Sequence, residues 1–247
     1  MSGLRPWPYP LWIAHRGAGK LAPENTLAAF RLGAQHGYRA FECDIKLTAD
    51  DQCFALHDAT LDRTTDGQGV AGDLDWAALA ARDAGAWHSP AFAGEPLPQL
   101  TEIASFIIEH GLALNIEIKP TPGTELHTGR VVATQAQRLW ADQAVPPLLS
   151  SFRVEALRGA REVAPQLPRA LLLDVLAPGW LDTAQRLGCV AVVTQHRLMD
   201  ADVISQLHGA GLRALCYTVN DASSVDRLMA LGIDGIITDA VDRFKPE

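Results

Sequence analysis

Apolar residues along this chain follow two rhythms in turn. Short, nearly continuous apolar runs fall at residues 11–15, 40–45, 112–118, 147–150, 170–173, 190–194, 214–218 and 235–238. Between them lie longer stretches in which apolar positions recur every three or four residues, at 25–35, 100–109, 126–140, 154–163, 180–187, 201–207 and 222–231. The first rhythm predicts buried strands and the second amphipathic helices. Glycine follows several of the helical stretches where a helix should stop, at Gly37, Gly111, Gly188, Gly211 and Gly232. Strand–helix alternation implies parallel strands joined by right-handed crossovers. Eight such runs predict an α/β chain closed into a (β/α)8 TIM barrel.

One stretch breaks the alternation. Residues 40–46 and 52–57 both have strand character, yet only a few residues separate them. A parallel crossover needs about a dozen residues or more, so this pair predicts a β-hairpin extension rising beyond the barrel mouth. With the turn centred on Asp50 and Asp51, His57 falls opposite Asp44, and Asp supplies the left-handed backbone that Gly would otherwise take. Residues 59–99 are then rich in Gly and Pro, with one short helical piece at 74–81. A loop of that length predicts a small inserted cap after strand 2. The expected organisation is a single domain over 1–247 with an insertion at about 59–99.

Composition narrows the function classes. The chain has 247 residues, 48% hydrophobic and 20% charged, with a formal net charge of −8. That is a globular composition. The acidic balance argues against a nucleic-acid partner, which needs a basic face, and against electrostatic docking on anionic lipid. No apolar run approaches the ~20 residues of a membrane helix, and residues 1–10 show no basic segment followed by an apolar one, as a secretory signal would. Cys43, Cys53, Cys189 and Cys216 form no C-x-x-C pair and sit in apolar contexts. They predict buried, reduced thiols in a cytoplasmic protein without stable membrane association. Oligomeric state is left open.

In such a barrel the chemistry sits at the carboxyl ends of the strands. Those ends carry His15-Arg16-Gly17, Glu42 and Asp44, His57-Asp58, Glu117-Ile118-Lys119, Tyr217-Thr218-Val219-Asn220 and Thr238-Asp239. Glu42 and Asp44 are two apart on a strand and so share a face, as do Glu117 and Lys119. With Cys43 and Ile118 turned outward, the charged residues face the barrel interior. Three converging carboxylates repel one another unless neutralised, and a hard divalent cation on oxygen ligands does this economically. The structural alternative is pairing with Arg16, Lys119 or surface lysines. An unperturbed imidazole titrates at ~6.5, so His15 and His57 suit one general base and one general acid. Metal ligation or plain core packing are the other roles open to them. Against three carboxylates, a divalent cation, Arg16 and Lys119 leave a slightly positive site, suited to a monoanion such as a phosphodiester.

Two other patterns are weaker. Gly17-Ala18-Gly19 with Ala22 after a strand, and Glu42 further on, outlines a dinucleotide-binding fingerprint, but Pro23 falls where its helix should already run. A glycosidase also places paired carboxylates at strand ends, but needs neither the two cations nor the two histidines.

Taken together, the motifs resemble the glycerophosphodiester phosphodiesterase family over most of the chain. They are Ala14-His15-Arg16-Gly17, Pro23-Glu24-Asn25-Thr26, Glu42-Cys43-Asp44, Leu56-His57-Asp58, Leu61-Asp62-Arg63-Thr64-Thr65, Asp83-Ala84-Gly85, Ile116-Glu117-Ile118-Lys119-Pro120, Ser150-Ser151-Phe152, Tyr217-Thr218-Val219-Asn220 and Ile237-Thr238-Asp239. Residues 19–29 and 237–240 are similar to the cytoplasmic bacterial UgpQ type within it. The resemblance implies a barrel with a cap that hydrolyses small-molecule glycerophosphodiesters to sn-glycerol 3-phosphate and an alcohol. It implies His15 and His57 as the acid–base pair, Glu42, Asp44 and Glu117 as ligands of one Mg2+ or Ca2+, and Arg16 on the phosphate. Lys119 and Tyr217 join Arg16 in substrate binding. The chain departs from the family pattern at Gln52, where the hairpin turn usually has Gly, and at Tyr217, often Trp. The cap aromatics Trp76, Trp87 and Phe92 are expected to line the pocket on the alcohol side.

Overall fold

The computed structural model describes residues 4 and 6–246. Its elements follow in chain order as β1 (Trp12–Ala14), α1 (Leu27–Gln35), β2 (Ala40–Leu47), β3 (Cys53–Ala55), α2 (Trp76–Leu79), α3 (Leu100–Glu109), β4 (Ala113–Ile118), α4 (Glu125–Leu139), β5 (Leu148–Ser151), α5 (Val154–Val163), β6 (Arg169–Leu173), α6 (Trp180–Arg186), β7 (Ala191–Gln195), α7 (Ala201–Gly209), β8 (Arg213–Tyr217), α8 (Ala222–Leu231) and β9 (Gly235–Thr238). Parallel pairing runs β1-β9-β8-β7-β6-β5-β4-β2, and β1 pairs again with β2, closing a barrel of eight strands. This is the expected (β/α)8 TIM barrel.

Burial explains why the strands are nearly continuous apolar runs. Barrel strands are covered on both faces, by helices outside and by packed side chains within. Ile13, Ala40, Ala113, Leu148, Ala170, Leu172, Ala191, Val193, Leu215 and Ile237 fill the interior. Two further clusters lie between strands and helices, one around Phe30, Phe41 and Ile107, the other around Val192, Leu207 and Leu228. Helix starts follow their caps. Thr26, Asp200 and Asp221 accept from the backbone N–H groups of Ala29, Val203 and Ser224, and Gln99 with Glu102 forms a capping box ahead of α3. Helix α1 begins at Leu27 rather than at Asn25, because Thr26 is its cap and Asn25 holds a left-handed φ of 61°.

The hairpin is present, but shifted by one residue. Ile45 pairs with Ala55, Lys46 with Phe54 and Leu47 with Cys53, and Leu56 N donates to Asp44 O. Leu56, not His57, therefore stands opposite Asp44. The turn centres on Asp50. The Thr48 hydroxyl donates to Asp50 Oδ1 and accepts from Gln52 N, and Asp51 alone takes the left-handed backbone, at φ 60°. Regular pairing stops at Ala55, so His57 lies beyond the strand rather than within it.

Residues 59–99 carry a helix of only four residues, α2, against the longer piece expected, and pack their own cluster of Leu61, Ala71, Leu79, Ala84 and Leu97 onto Phe54 and Leu56 of the hairpin arm. All four cysteines are buried with free thiols. Among the described residues, no helix is long and apolar enough to cross a membrane. The expectation of no secretory signal bears on residues 1–10, of which Met1, Ser2, Gly3 and Arg5 lie outside the described residues.

Candidate active site

Strands β2 and β4 run side by side, with Glu42 level with Asn115 and Asp44 level with Glu117. All three acids are buried, and one carboxylate oxygen of each lies within 4.8 Å of the others. The electrostatics of the three differ. Burial, then Asp44 and Glu117, push Glu42 well above the usual carboxylate range. Burial and Asp44 raise Glu117 to about 7, against opposition from Lys119. Burial would raise Asp44 too, but Lys119, Arg16, His57 and a hydrogen bond from Asn25 outweigh it and hold Asp44 below its ordinary value. Glu42 Oε1 is buried without a hydrogen-bond partner. Three hard oxygen donors, one of them uncompensated, fit a metal ion.

Two cations already touch the acids. Arg16 Nε lies 3.2 Å from Asp44 Oδ2, and Lys119 Nζ lies 2.9 Å from Glu117 Oε1 and 3.4 Å from Asp44 Oδ1. Pairing with Arg16 and Lys119 is thus realised for Asp44 and Glu117, while Glu42 accepts from the Arg16 backbone N–H, 3.2 Å from its Oε2. Arg16 takes a left-handed φ of 50°, a strain the surroundings must hold. Gly17 follows at φ 97° and Gly19 at φ 58°. A Cβ at Gly19 would sit 2.1 Å from the Asp239 carbonyl oxygen, so only Gly lets this loop close against the end of β9.

Each histidine is paired with a carboxylate. His15 Nδ1 lies 2.6 Å from Asp239 Oδ1, and Asp239 is held in turn by Asn220, whose Nδ2 donates to Oδ2 at 3.0 Å. His57 Nδ1 lies 2.6 Å from Asp58 Oδ1. In both rings the carboxylate occupies Nδ1 and leaves Nε2 available for proton transfer. His15 Nε2 is 3.8 Å from Glu42 Oε2. Burial lowers the pKa of His57, with Arg16 and Lys119 adding to the effect and Asp44 and Asp58 opposing it.

The histidines open on a cavity of about 190 Å3, lined also by Arg16, Glu42, Asn115, Glu117, Lys119, Phe152, Leu172, Tyr217, Thr218 and Ile237. Of the residues predicted for the site, His15, His57, Glu42, Glu117, Arg16, Lys119 and Tyr217 line this cavity, and Asp44 lies beside it against Arg16 and Lys119. The expected aromatic lining is different. Trp76 packs against Phe54 of the hairpin, the Trp87 indole N–H donates to the Ala84 carbonyl, and Phe92 packs against His88 and the main core. The apolar face of the hairpin arm, at Phe54 and Leu56, is buried under Leu61, Leu79, Leu97 and Trp76 of the segment 59–99. The aromatic wall comes from Phe152 and Tyr217 instead, edge to face with ring centroids 5.8 Å apart, with Lys119 Nζ 5.9 Å above Phe152. The Tyr217 hydroxyl donates to the Leu173 carbonyl.

The sequence reading gave no role to Asn25, Glu24, Asp58 or Asp239, each of which holds a site residue here, nor to Arg63 and Asn220, which hold Glu24, Asp58 and Asp239 in turn. Asp58 and Asp239 stood at strand ends and could have been found there, as carboxylates next to a histidine in sequence or across a closing barrel.

Fold and site together define a barrel hydrolase built for an anionic phosphate ester. The sequence model of the Glycerophosphoryl diester phosphodiesterase family matches residues 15–243. A glycerophosphodiester phosphodiesterase of Caldanaerobacter subterraneus subsp. tengcongensis is 32% identical over 93% of this chain and 93% of its own length. Among solved structures, an Oleispira antarctica phosphodiesterase in complex with the product sn-glycerol-3-phosphate is 32% identical and superposes with a TM-score of 0.88, covering 95% of both chains. A glycerophosphodiester phosphodiesterase of Agrobacterium tumefaciens is 28% identical with a TM-score of 0.79, covering 94% of this chain and 97% of the other. The chain belongs to the glycerophosphoryl diester phosphodiesterase family, and its activity is that of a glycerophosphodiester phosphodiesterase.

Proposed function

We propose that this enzyme hydrolyses small-molecule glycerophosphodiesters to sn-glycerol 3-phosphate and an alcohol, depending on one divalent cation, Mg2+ or Ca2+, and on acid–base catalysis by His15 and His57. The observation that carries the reading is the pair of histidine–carboxylate contacts, His15 with Asp239 and His57 with Asp58, facing one cavity beside the acid trio. Glu42, Asp44 and Glu117 hold the cation, which when bound supplies Lewis-acid charge at the phosphoryl oxygens. Arg16 and Lys119 bind the phosphate from the same side, and Tyr217 lies along the substrate.

One histidine takes the proton of the attacking hydroxyl, and the other gives a proton to the departing alcohol. The glycerol 2-hydroxyl is the first candidate nucleophile, giving a cyclic phosphate that water opens with the roles reversed. Direct attack by water is the alternative, and removal of the 2-hydroxyl separates the two. The fixed Nδ1 contacts keep each Nε2 aimed while the proton moves, which lowers the reorganisation the reaction needs. The chain acts as one barrel domain with residues 59–99 as its cap, on soluble substrates, in the cytoplasm, as the UgpQ type does. Assay of glycerophosphocholine by wild type, by His15→Ala and by His57→Ala, before and after dialysis against EDTA, tests the reading. Full turnover by either variant removes that histidine from the reaction, and full turnover in EDTA removes the cation.

A further inference from the structure

His57 and Arg16 reach the cavity from different segments, and a chain of charge-assisted hydrogen bonds joins them. Arg16 Nη1 donates to Glu24 Oε1 at 2.8 Å. Glu24 is gripped by Arg63 through both oxygens, Nη1 to Oε2 and Nη2 to Oε1, each at 2.8 Å. The other edge of the same guanidinium grips Asp58, Nε to Oδ2 at 2.7 Å and Nη2 to Oδ1 at 3.0 Å. Asp58 Oδ1 in turn holds His57 Nδ1 at 2.6 Å.

We propose that Arg63 is a positioning residue for the reaction, fixing the His57 ring through Asp58 and the Arg16 guanidinium through Glu24. This rests on His57 as an acid–base group and Arg16 as a phosphate ligand.

Two forks back to back require a planar group with donors along two edges. Guanidinium has that shape, and an ammonium does not. Without Arg63, Glu24 and Asp58 would be left as neighbouring anions with nothing between them. The Asp58 carboxylate could then rotate, and the His57 ring with it. Arg63 itself is placed by the segment 59–99. Leu61, two residues earlier, is fully buried in that segment's own cluster, and Thr65 closes the turn by donating its hydroxyl to the Leu61 carbonyl at 2.8 Å. The packing of that segment is thus transmitted to the site through one guanidinium rather than through aromatic contact with substrate. An exposed ion pair with no such role contributes little to any property. The Arg63 side chain is 44% exposed, which leaves room for a small guanidinium ion to enter once it is removed.

The test uses glycerophosphocholine turnover by wild type, Arg63→Ala, Arg63→Lys, Asp58→Asn and the double variant Arg63→Ala/Asp58→Asn, with melting temperatures alongside. Arg63→Ala is expected to lose roughly 10–100-fold in kcat. Arg63→Lys, which keeps the charge, should lose nearly as much while melting close to wild type. The double variant should fall clearly short of the product of the two single losses, since the share of the Arg63 effect that reaches His57 passes through Asp58 and only the share that reaches Arg16 through Glu24 remains to be lost. Guanidinium ion, well below denaturing concentration, should restore Arg63→Ala several-fold and leave Asp58→Asn unchanged. Wild-type kcat in Arg63→Ala or Arg63→Lys, losses that multiply in the double variant, or absence of rescue would each overturn the proposal. His57→Ala serves as the reference. If it is crippled while Arg63→Ala is not, only the positioning role fails, whereas wild-type turnover by His57→Ala overturns the acid–base reading beneath it.

Discussion

Asn25 and Asp44 hold each other twice. Asn25 Nδ2 donates to Asp44 Oδ2 at 2.9 Å, and the Asp44 backbone N–H donates to Asn25 Oδ1 at 3.1 Å. Asn25 makes this grip from a left-handed backbone, φ 61°, just ahead of the α1 cap. Asn tolerates that conformation better than other residues with a Cβ. A buried carboxylate between two strands is thereby aimed by a residue on the loop after β1.

Asn25→Ala removes both bonds and keeps the strained backbone. It should destabilise the fold by roughly 1–3 kcal/mol, the cost of leaving a buried acceptor and donor unpaired plus the left-handed penalty. Urea unfolding measures this, and an unchanged midpoint would show that the grip carries no stability. Metal affinity, read by calorimetry, should fall with it.

Stability of the metal-free protein should depend on pH in a direction set by Glu117. Its carboxyl is raised from 4.5 to about 7 by burial, then Asp44, and Glu42 is raised in the same sense. A group raised on folding binds its proton more tightly in the folded state. Its contribution is full below the unfolded value and is lost as pH climbs through the folded one. The melting temperature in EDTA should therefore fall between about pH 5 and pH 8. Glu117→Gln should flatten that slope and bind metal poorly while staying folded. Saturating Mg2+ or Ca2+ at the upper pH should recover the wild-type loss. Asp44, held low, acts oppositely and only in acid. A slope unchanged in Glu117→Gln would place the effect elsewhere.

His15→Ala and His57→Ala should each lower kcat by roughly 10²–10⁴, the usual worth of a positioned acid or base. Acting as a unit, the pair should be non-additive, and the double variant little slower than either alone. Asp239→Asn should resemble His15→Ala more than it resembles a surface change, because it releases the ring at Nδ1. Stopped-flow or steady-state turnover of glycerophosphocholine decides each, and independent, multiplying losses would show that the two histidines serve separate steps.

Much of this was legible along the chain, and the reasons are physical. Strands covered on both faces appear as apolar runs, so Glu42, Asp44 and Glu117 stood out as charges where none is cheap. The hairpin was legible from spacing alone, but its register was not. The turn is fixed by the Thr48 hydroxyl and by Asp50, which also accepts from Trp76 N across the chain. Long-range partners were equally hidden. Asp239 meets His15 across 224 residues, and only barrel closure brings β9 beside β1. Trp76, Trp87 and Phe92 looked like pocket lining because they fall in the long segment after the hairpin, but Trp76 covers Phe54, Trp87 turns its indole N–H to the Ala84 carbonyl, and Phe92 packs on the main core.

Substrate scope follows from the wall that replaced those aromatics. The glycerol half must reach the acid trio, Arg16 and Lys119, where polar groups crowd the cavity. With the glycerol half at that end, the alcohol half would face outward past Phe152 and Tyr217. The Tyr217 hydroxyl is already committed to the Leu173 carbonyl, so this wall offers ring faces and few free donors. A surface of that kind separates head groups by only about 1–3 kcal/mol. Glycerophosphocholine, glycerophosphoethanolamine and glycerophosphoglycerol should therefore differ in kcat/KM by no more than roughly 100-fold. Phe152→Ala should cut all three, and choline most, because a quaternary ammonium gains from an aromatic face. A diester without the glycerol 2-hydroxyl should be nearly inert, since the cyclic route needs that oxygen as nucleophile. Turnover of the 2-deoxy analogue at the rate of glycerophosphocholine would remove the cyclic route and leave water as the nucleophile. A head-group preference above about 10⁴ would mean that the alcohol meets fixed polar partners, and the aromatic wall would then not be its binding surface.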